Sequence, residues 1–316
     1  MALAAAVIPA REAPARGEDL VPVLEPVASI PLGVIPSAFV ATPDELWTSA
    51  GIEGVIRVDP RSGRIRARIP TGGAVIATLA DGGVWAVDVA DDRLLEIDRR
   101  GNRVKRELRV SGLPTGVAAT RGRLWVVGQE YASVTVADAG SLTSLAVLRF
   151  EAAELWPAGI VAGPRGIWLI TGWRSEASLI DPKTLAVVAR VRVPHVDSLA
   201  GCADSIWAAR SPDEGSGLVR IDPWMLAADV VDLPEDEPVT ALTCADALHV
   251  AVPGALLELD PRTGATLVRR TISRRYHVSA LASVGRDLWA ADEASGALLR
   301  FRLGLPDHGK FSERRR

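Results

Sequence analysis

The sequence has little net charge and no long uninterrupted apolar stretch. Its 36 basic and 39 acidic side chains leave a formal charge of −3, so no general basic field favours nucleic acid. The longest uncharged stretch, residues 26–43, contains prolines at four positions, and these exclude a membrane-spanning helix. We therefore expect no nucleic-acid partner and no membrane-spanning segment.

Short catalytic and cofactor motifs are also missing. The chain has no CxxC pair, His-x-x-x-His, P-loop or GxSxG, and no GxGxxG that opens a helix. Zinc-finger, kinase, hydrolase and dinucleotide-binding functions therefore have no motif to support them, and we expect no cofactor. What the chain does have is 48% apolar residues, enough for a large globular core.

One tryptophan-bearing pattern recurs along the chain, which has nine Trp residues but only four Phe and two Tyr. Each copy contains four short β-branched runs separated by Gly, Pro, Asp and Ser. A period near 40 residues with four strands is typical of a β-propeller blade, so the fold class is all-β, a seven-bladed β-propeller of four-stranded blades. The residues that align the seven copies, here called the register residues, are Trp47, Trp85, Trp125, Trp168, Trp207, His249 and Trp289.

The last copy ends before its fourth strand, and a spare strand precedes the first copy. Residues 27–33 (VASIPLG) resemble residues 66–72 (RARIPTG), the outer strand of blade 1. This match predicts that an N-terminal strand completes the last blade and closes the ring.

The domain organisation follows from the repeat. Residues 23–305 form the propeller, and residues 306–316 form a charged C-terminal tail. We expect residues 1–22, rich in Ala, Pro and charge, to be a disordered tether or a trimmed signal or anchor remnant. The sequence does not decide between two compartments: an extracytoplasmic location after removal of a signal or anchor, or the cytoplasm.

A turn beginning with Asp, often Asp-Pro, follows the third strand of six copies. Asp accepts a backbone N–H, Pro presets φ and Gly takes a left-handed conformation, so these residues are predicted to build hairpins rather than a catalytic or metal site. The six aspartates are Asp59, Asp98, Asp138, Asp181, Asp222 and Asp260.

The recurring pattern, as in Leu46-Trp47, Gly54-Val55, Asp59-Pro60 and Ile69-Pro70, resembles the streptogramin-lyase-like and YVTN-type seven-bladed propellers. The resemblance covers residues 23–305 and rests on structural positions. It specifies the propeller fold strongly and an activity only weakly, because most such propellers carry no known chemistry.

The two cysteines, Cys202 and Cys244, each lie five positions before a register residue, on the innermost strands of neighbouring blades. Such strands pack against each other without pairing. We expect small buried thiols here, with a disulfide as the alternative.

The rim of the channel has an uneven composition. In each copy we compare the residue twelve positions before the register residue with the residue ten positions before it. Their side chains point the same way because side chains alternate along a strand. Blades 1 to 4 contribute an apolar arc there that includes Trp156, whereas blades 5 to 7 contribute His195, Asp197, Glu237 and His277. With Tyr131 and Trp173 on loops of the same face, these residues are the predicted ligand-binding set; a ring of solvated polar residues is the alternative.

The resemblance to streptogramin lyases implies a histidine base and a Mg²⁺ ion held by glutamates at this mouth. His277, and secondarily His195, would then be catalytic, and Glu237 and Glu293 would hold the metal. Arg275 stands where that family wants a glutamate, and the His195-x-Asp197 pair is not part of its pattern.

Our favoured hypothesis is a non-catalytic, monomeric propeller that binds a small molecule or peptide at the channel mouth. The alternatives are a metal-assisted lyase that uses Mg²⁺, and a protein-docking scaffold or sensor module. The sequence leaves open whether the protein is an enzyme.

Overall fold

Seven four-stranded antiparallel sheets follow one another along the chain and close into a ring. The computed structural model describes residues 23–80, 83–130, 132–150, 157–171, 175–233 and 238–303, and these contain 28 strands. The innermost strands of successive blades contact one another in cyclic order, and blade 7 contacts blade 1. The predicted seven-bladed β-propeller is therefore confirmed.

Blades 1 to 4 have the following strands, given from the channel outward. Blade 1 contains β2 (Phe39–Thr42), β3 (Glu45–Ser49), β4 (Val55–Val58) and β5 (Ile65–Ile69). Blade 2 contains β6 (Ala74–Ala80), β7 (Gly83–Asp88), β8 (Arg93–Asp98) and β9 (Arg103–Arg109). Blade 3 contains β10 (Pro114–Thr120), β11 (Arg123–Gly128), β12 (Ser133–Asp138) and β13 (Thr143–Arg149). Blade 4 contains β14 (Pro157–Gly163), β15 (Gly166–Thr171), β16 (Glu176–Ile180) and β17 (Val187–Arg192).

Blades 5 to 7 continue the same order. Blade 5 contains β18 (Val196–Gly201), β19 (Ile206–Arg210), β20 (Leu218–Asp222) and β21 (Ala227–Val231). Blade 6 contains β22 (Ala241–Cys244), β23 (Leu248–Val252), β24 (Ala255–Leu259) and β25 (Thr266–Thr271). Blade 7 contains β26 (Val278–Val284), β27 (Asp287–Asp292), β28 (Ala297–Arg302) and the N-terminal strand β1 (Ala28–Pro31).

Helical structure in the described residues is limited to two short 3₁₀ turns, Gly51–Glu53 and Pro212–Glu214. Within the same part of the chain, no helix has the length and apolar character needed to span a membrane.

The strands follow from their side-chain patterns. Second strands such as β3 and β23 are buried at every residue, because neighbouring blades cover both of their faces. The outer strand β9 (RVKRELR) alternates exposed and half-buried residues, as expected for a strand with one face in water.

The two faces of the ring carry different connections. We call the face with the loops from second to third strand, and from each outer strand to the next blade, the upper face. The lower face carries the turns from first to second strand and from third to fourth strand. The Asp turns therefore all lie on the lower face.

The Asp side chains build these turns as predicted. Asp181 and Asp222 each accept two backbone N–H groups two and three residues on, at 2.6 to 3.1 Å, and these bonds lower the pKa of both carboxyls. Gly63 and Gly264 have positive φ angles of 69° and 75°. In other turns the left-handed residue is not glycine, as at Leu185 and Leu226.

The register residues lie between blades. All six tryptophans are at most 3% exposed and His249 is 8% exposed. Trp47 packs with Val84 and Ile97 of blade 2, and Trp289 packs with Leu46 of blade 1. Each register Trp therefore fills an apolar cluster shared with the next blade, as expected of large aromatic side chains between packed sheets.

A second kind of contact joins the blades at the lower face, where a side chain of one blade donates to a turn carbonyl of the next. Six interfaces have such a bond. The pairs are Arg57 to Arg99, Arg106 to Gly140, Arg123 to Pro182, Arg165 to Pro223, Trp207 to Pro261 and Arg300 to Arg61.

Among the described residues no such bond joins blade 6 to blade 7, and the N-terminal segment adds contacts at this interface. β1 pairs with β28, Ser29 lying opposite Leu299, so the predicted closure is confirmed. Just before β1, the Leu24 N–H donates to the Thr271 carbonyl of blade 6 at 2.7 Å. The Tyr276 hydroxyl donates to Glu25 at 3.3 Å.

The two cysteines form a disulfide. Cys202 follows the innermost strand of blade 5, Cys244 ends that of blade 6, and their Cα atoms are 5.5 Å apart. The expectation of two free thiols is therefore wrong. The ends of neighbouring inner strands converge around the channel at the lower face, which brings the two Cβ atoms within bonding reach although the strands do not pair.

Candidate functional site

The predicted rim residues lie on the upper face where the structure describes them. His195 directly precedes β18, and its carbonyl accepts the Ser211 N–H at 2.9 Å. Its Nδ1 is 3.7 Å from Oδ2 of Asp213, a neighbour that the sequence pattern did not identify. A hydrogen bond from the Ser211 side chain is the largest cause of the lowered pKa of Asp213, and His195 lowers this pKa further. Asp197 follows two residues later and is exposed, as strand alternation predicts.

His277 and Glu293 lie side by side on blade 7. The Glu293 N–H donates to the His277 carbonyl at 3.0 Å, and both residues are exposed. Beneath them, the Asp292 side chain is 2% exposed and accepts the His277 N–H at 2.8 Å. Asp292 therefore fixes the backbone of this part of the rim.

The rest of the predicted set lies outside the described residues. These residues are Trp156, Trp173, Tyr131 and Glu237. The structure therefore places His195 and Asp197 on blade 5, and His277 and Glu293 on blade 7, without assembling the complete set.

The described rim residues do not fit a Mg²⁺ site. In the part of the chain that the structure describes, no three His, Cys, Asp or Glu side chains gather closely enough to hold a metal ion. His277 and Glu293 supply two groups at most, and a hard cation needs several oxygen ligands. We therefore derive no reaction step through a metal.

A large cleft lies instead on the lower face, between blades 1, 2 and 3. Its volume is about 1100 Å³, and its lining contains six basic side chains and three acidic ones. We call it the basic cleft. Its charged lining residues are Arg57, Arg99, Arg100, Arg103, Lys105, Arg106, Glu45, Glu96 and Asp98.

Two buried carboxylates organise the basic cleft. Glu45, 7% exposed, accepts hydrogen bonds from Arg57 and, at 2.6 Å, from Arg99 Nε. Glu96, 8% exposed, accepts from Lys105 Nζ at 2.7 Å and from Arg106. Each buried charge is thus paired twice, which holds the cationic side chains in place.

Trp85 also lines the basic cleft. This side chain is 3% exposed, and its Nε1 has no hydrogen-bond partner among the described residues. By comparison, the indole N–H of Trp47 donates to Glu45 and that of Trp207 to Pro261. Trp125 and Trp289 also have an unpartnered N–H in the described structure, but they do not line the basic cleft.

Sequence reasoning missed the basic cleft because it relied on net charge. Six of the eleven residues from 99 to 109 are basic, whereas the whole chain is slightly acidic. That local run was the available signal. Its combination with Glu45 and Arg57 of blade 1 depends on blade packing, which charge counting does not reveal.

A second feature of the lower face is an exposed apolar pair in the Asp turn of blade 5. Trp224 is 68% exposed and Met225 is 78% exposed. The other blades have polar residues or glycine at these two turn positions, as in Arg262-Thr263 and Lys183-Thr184. The Arg165 guanidinium lies 5.8 Å from the centre of the Trp224 ring.

Comparisons with known proteins identify the fold. No protein-family model matches the chain, and no curated protein matches it. Kuenenia stuttgartiensis hydrazine synthase aligns with a TM-score of 0.72 at 14% identity, over 93% of this chain and 99% of that chain. The Neurospora crassa Pan2 WD40 domain aligns with a TM-score of 0.69 at 11% identity, over 86% of this chain and 90% of that chain. The Myceliophteria thermophila Cps50 (Swd1) β-propeller domain aligns with a TM-score of 0.74 at 10% identity, over 89% of this chain and 100% of that chain.

At these identities the likeness concerns the fold alone. The chain is therefore similar to β-propellers of diverse kinds, WD40 domains among them, and its architecture is that of a seven-bladed propeller scaffold.

Proposed function

We propose that the protein is a docking scaffold that binds a partner protein through Trp224 and Met225 on its lower face. The observation that carries the proposal is the exposure of these two large apolar side chains, 68% and 78%, at turn positions that hold polar residues or glycine in the other Asp turns. Apolar anchors of this size contribute most of the binding energy in many protein interfaces.

The anchor is preorganised. Asp222 accepts the N–H groups of Trp224 and Met225 at 2.8 and 2.9 Å, which fixes the turn. Arg165 donates to the Pro223 carbonyl at 2.7 Å and lies against the Trp224 ring. A side chain held in its binding conformation loses less entropy on association, so a fixed turn favours docking.

The chemistry of the anchor defines the partner surface. An exposed indole and a thioether fit an apolar pocket. Because the exposed Arg165 guanidinium borders the indole, we expect acidic side chains around that pocket. The partner is therefore a protein with an apolar pocket and an acidic border.

The test replaces the anchor and measures binding to an identified partner. Affinity capture with the whole chain finds candidates, and each candidate is then purified and titrated against wild type and the Trp224→Ser, Met225→Ser double variant. We expect the double variant to bind about 10- to 100-fold more weakly, the loss typical of a central anchor.

The control is Ile52→Ser, an equivalent loss of an exposed apolar side chain, 84% exposed, on the upper face. This variant should bind as tightly as wild type. Equal binding by the Trp224, Met225 double variant would contradict the proposal. Light scattering adds a second check, since self-association that disappears in the double variant would mean that the anchor binds another copy of this chain rather than a different protein.

The channel mouth is a second candidate, favoured by the pairing of His195 with Asp213 and by the adjacency of His277 and Glu293. Here we propose binding of a small molecule or peptide, with Mg²⁺ involved only if the site works as in streptogramin lyases. Compounds from a thermal-shift library that stabilise wild type but not a His195→Ala, His277→Ala double variant would support this site. Hits that stabilise both proteins equally would exclude it, and calorimetry with Mg²⁺ alone tests the lyase alternative.

A further inference from the structure

We propose that the basic cleft between the lower turns of blades 1, 2 and 3 is a binding site for a small ligand that carries two or more phosphate-type oxyanion groups. This site is separate from the Trp224 anchor on blade 5 and does not depend on the docking function.

The charge of the basic cleft is the first argument. Six basic and three acidic side chains line it, an excess of three positive charges, although the whole chain has a formal charge of −3. A concave surface with walls of low dielectric concentrates such an excess and attracts anions.

The cations form two centres rather than one. Arg57 and Arg99 share Glu45, and Lys105 and Arg106 share Glu96. In each group two cationic side chains share one buried carboxylate. Two separated positive centres match a ligand with at least two anionic groups.

Several of these cations remain accessible to a ligand. The Lys105 side chain is 54% exposed and the Arg99 side chain is 35% exposed. At the border, the Arg103 side chain is 78% exposed, with its Nε 3.7 Å from Asp98, and Arg100 is exposed as well. Guanidinium groups present paired N–H donors that match the oxygens of phosphate.

The buried indole of Trp85 is an unsatisfied donor in a residue that lines this site, whereas the similar donors of Trp125 and Trp289 lie in residues away from it. Trp85 is 3% exposed and lines the basic cleft, its Nε1 is buried, and no described residue accepts a hydrogen bond from it. Leaving a buried donor unsatisfied costs about 1–3 kcal/mol. An oxyanion in the basic cleft would supply the acceptor.

The propeller fold does not require this charged network. Glu96 pairs with Trp85 across β7 and β8, and the same position is Val136 in blade 3 and Leu179 in blade 4. The residues at this position in the remaining blades are Arg57, Arg220, Glu258 and Arg300. The fold accepts apolar and charged residues at this position, and what distinguishes Glu96 is its pairing with two cations that line the basic cleft. In our proposal, Glu96 positions the two cations that contact the ligand.

The test uses tripolyphosphate as the probe and calorimetry of the whole chain at low salt. We expect wild type to bind it more tightly than orthophosphate, and an Arg100→Ser, Arg103→Ser double variant to bind about tenfold more weakly because two cationic contacts are lost. Arg262→Ser is the matched control. It removes the residue at the same turn position of blade 6, where Arg262 and Arg100 each donate their N–H to the turn aspartate.

A Trp85→Phe variant tests the indole N–H separately, because phenylalanine keeps an aromatic ring in the core and removes the donor. We expect weaker tripolyphosphate binding, by about a fewfold, as for one lost hydrogen bond. The Trp224→Ser, Met225→Ser variant should bind tripolyphosphate like wild type, so that failure of this proposal and failure of the docking proposal are distinguishable.

Three outcomes would overturn the proposal. The first is no tripolyphosphate binding by folded wild type, and the second is equal binding by the Arg100, Arg103 double variant. The third is tighter binding of a single-stranded oligonucleotide or a polyglutamate peptide than of tripolyphosphate, with the same loss in the double variant. That result would assign the basic cleft to a macromolecule.

Discussion

His249 is the register residue that departs from tryptophan, and its burial has a consequence for pH. It is 8% exposed and lies opposite Glu258 in the neighbouring strand. Burial is the largest cause that lowers its pKa below the ordinary value of 6.5; Glu258 acts in the opposite direction. The imidazole is therefore neutral in the folded protein at neutral pH.

Stability should fall on mild acidification because of this residue. The unfolded chain takes up a proton on His249 as the pH drops below about 6.5, whereas the folded chain resists it, so the stabilisation present above that pH is lost below it. We expect the Tm of wild type to fall between pH 7.5 and 5.5, and that of His249→Gln to fall less over about the same interval. Thermal melts at both pH values measure the difference. His195 and His277 remain in both proteins, so an equal decline would contradict a role for His249.

The repeating element of this protein is the hairpin at the lower face, and its aspartate acts through the backbone. In blade 6, Asp260 accepts the N–H groups of Arg262 and Thr263 at 2.7 and 3.2 Å. Similar bonds occur at Asp59, Asp181 and Asp222, which is why we assign these carboxylates to turn formation rather than to binding.

Removing one such acceptor should weaken the hairpin without affecting either proposed site. We expect Asp260→Ala to cost about 1 kcal/mol, the contribution of a typical hydrogen bond, which lowers the Tm of a chain this long by about 1–2 °C. Scanning calorimetry measures this change. Asp229→Ala on the exposed outer strand β21 is the control and should leave the Tm unchanged. A loss of tripolyphosphate binding in the folded Asp260→Ala variant would show a role beyond the turn.

At the scale of the whole molecule, the ring is closed by residues that are distant in sequence. β1 supplies the outer strand of blade 7, with Ile30 9% and Leu32 2% exposed. Leu24 bonds to blade 6, and Glu25 accepts from Tyr276 in the connection from blade 6 to blade 7, where the described residues show no lower-face carbonyl bond. The N-terminal segment therefore stabilises blades 6 and 7 together.

Deleting residues 1–33 should destabilise the propeller sharply. Burial of Ile30 and Leu32 alone contributes about 1.5–3 kcal/mol each, and the deletion also leaves β28 as an open edge. Deleting residues 1–18 removes none of these contacts and serves as the control. Chemical denaturation of both truncated proteins measures the effect. The closure argument would be wrong if the two proteins unfolded at the same denaturant concentration.

Much of the fold was predictable because its determinants are local and repeated. Seven spaced copies of one pattern predict the blades, the Asp turns predict their hairpins, and the match between residues 27–33 and 66–72 predicts closure. The predicted rim positions of His195, Asp197 and His277 follow from the same register. Each inference needs only the alternation of side chains within one strand or the geometry of one turn.

Contacts between blades could not be predicted from the sequence, because they depend on distances between segments about 40 residues apart. The Cys202–Cys244 disulfide, the union of Glu45 and Arg57 with the basic run of blade 2, and the unpartnered N–H of Trp85 are of this kind. Sequence alone therefore determined the propeller and its register. Tertiary packing decided which charged and apolar side chains meet on its lower face, since only the relative position of neighbouring blades sets those distances.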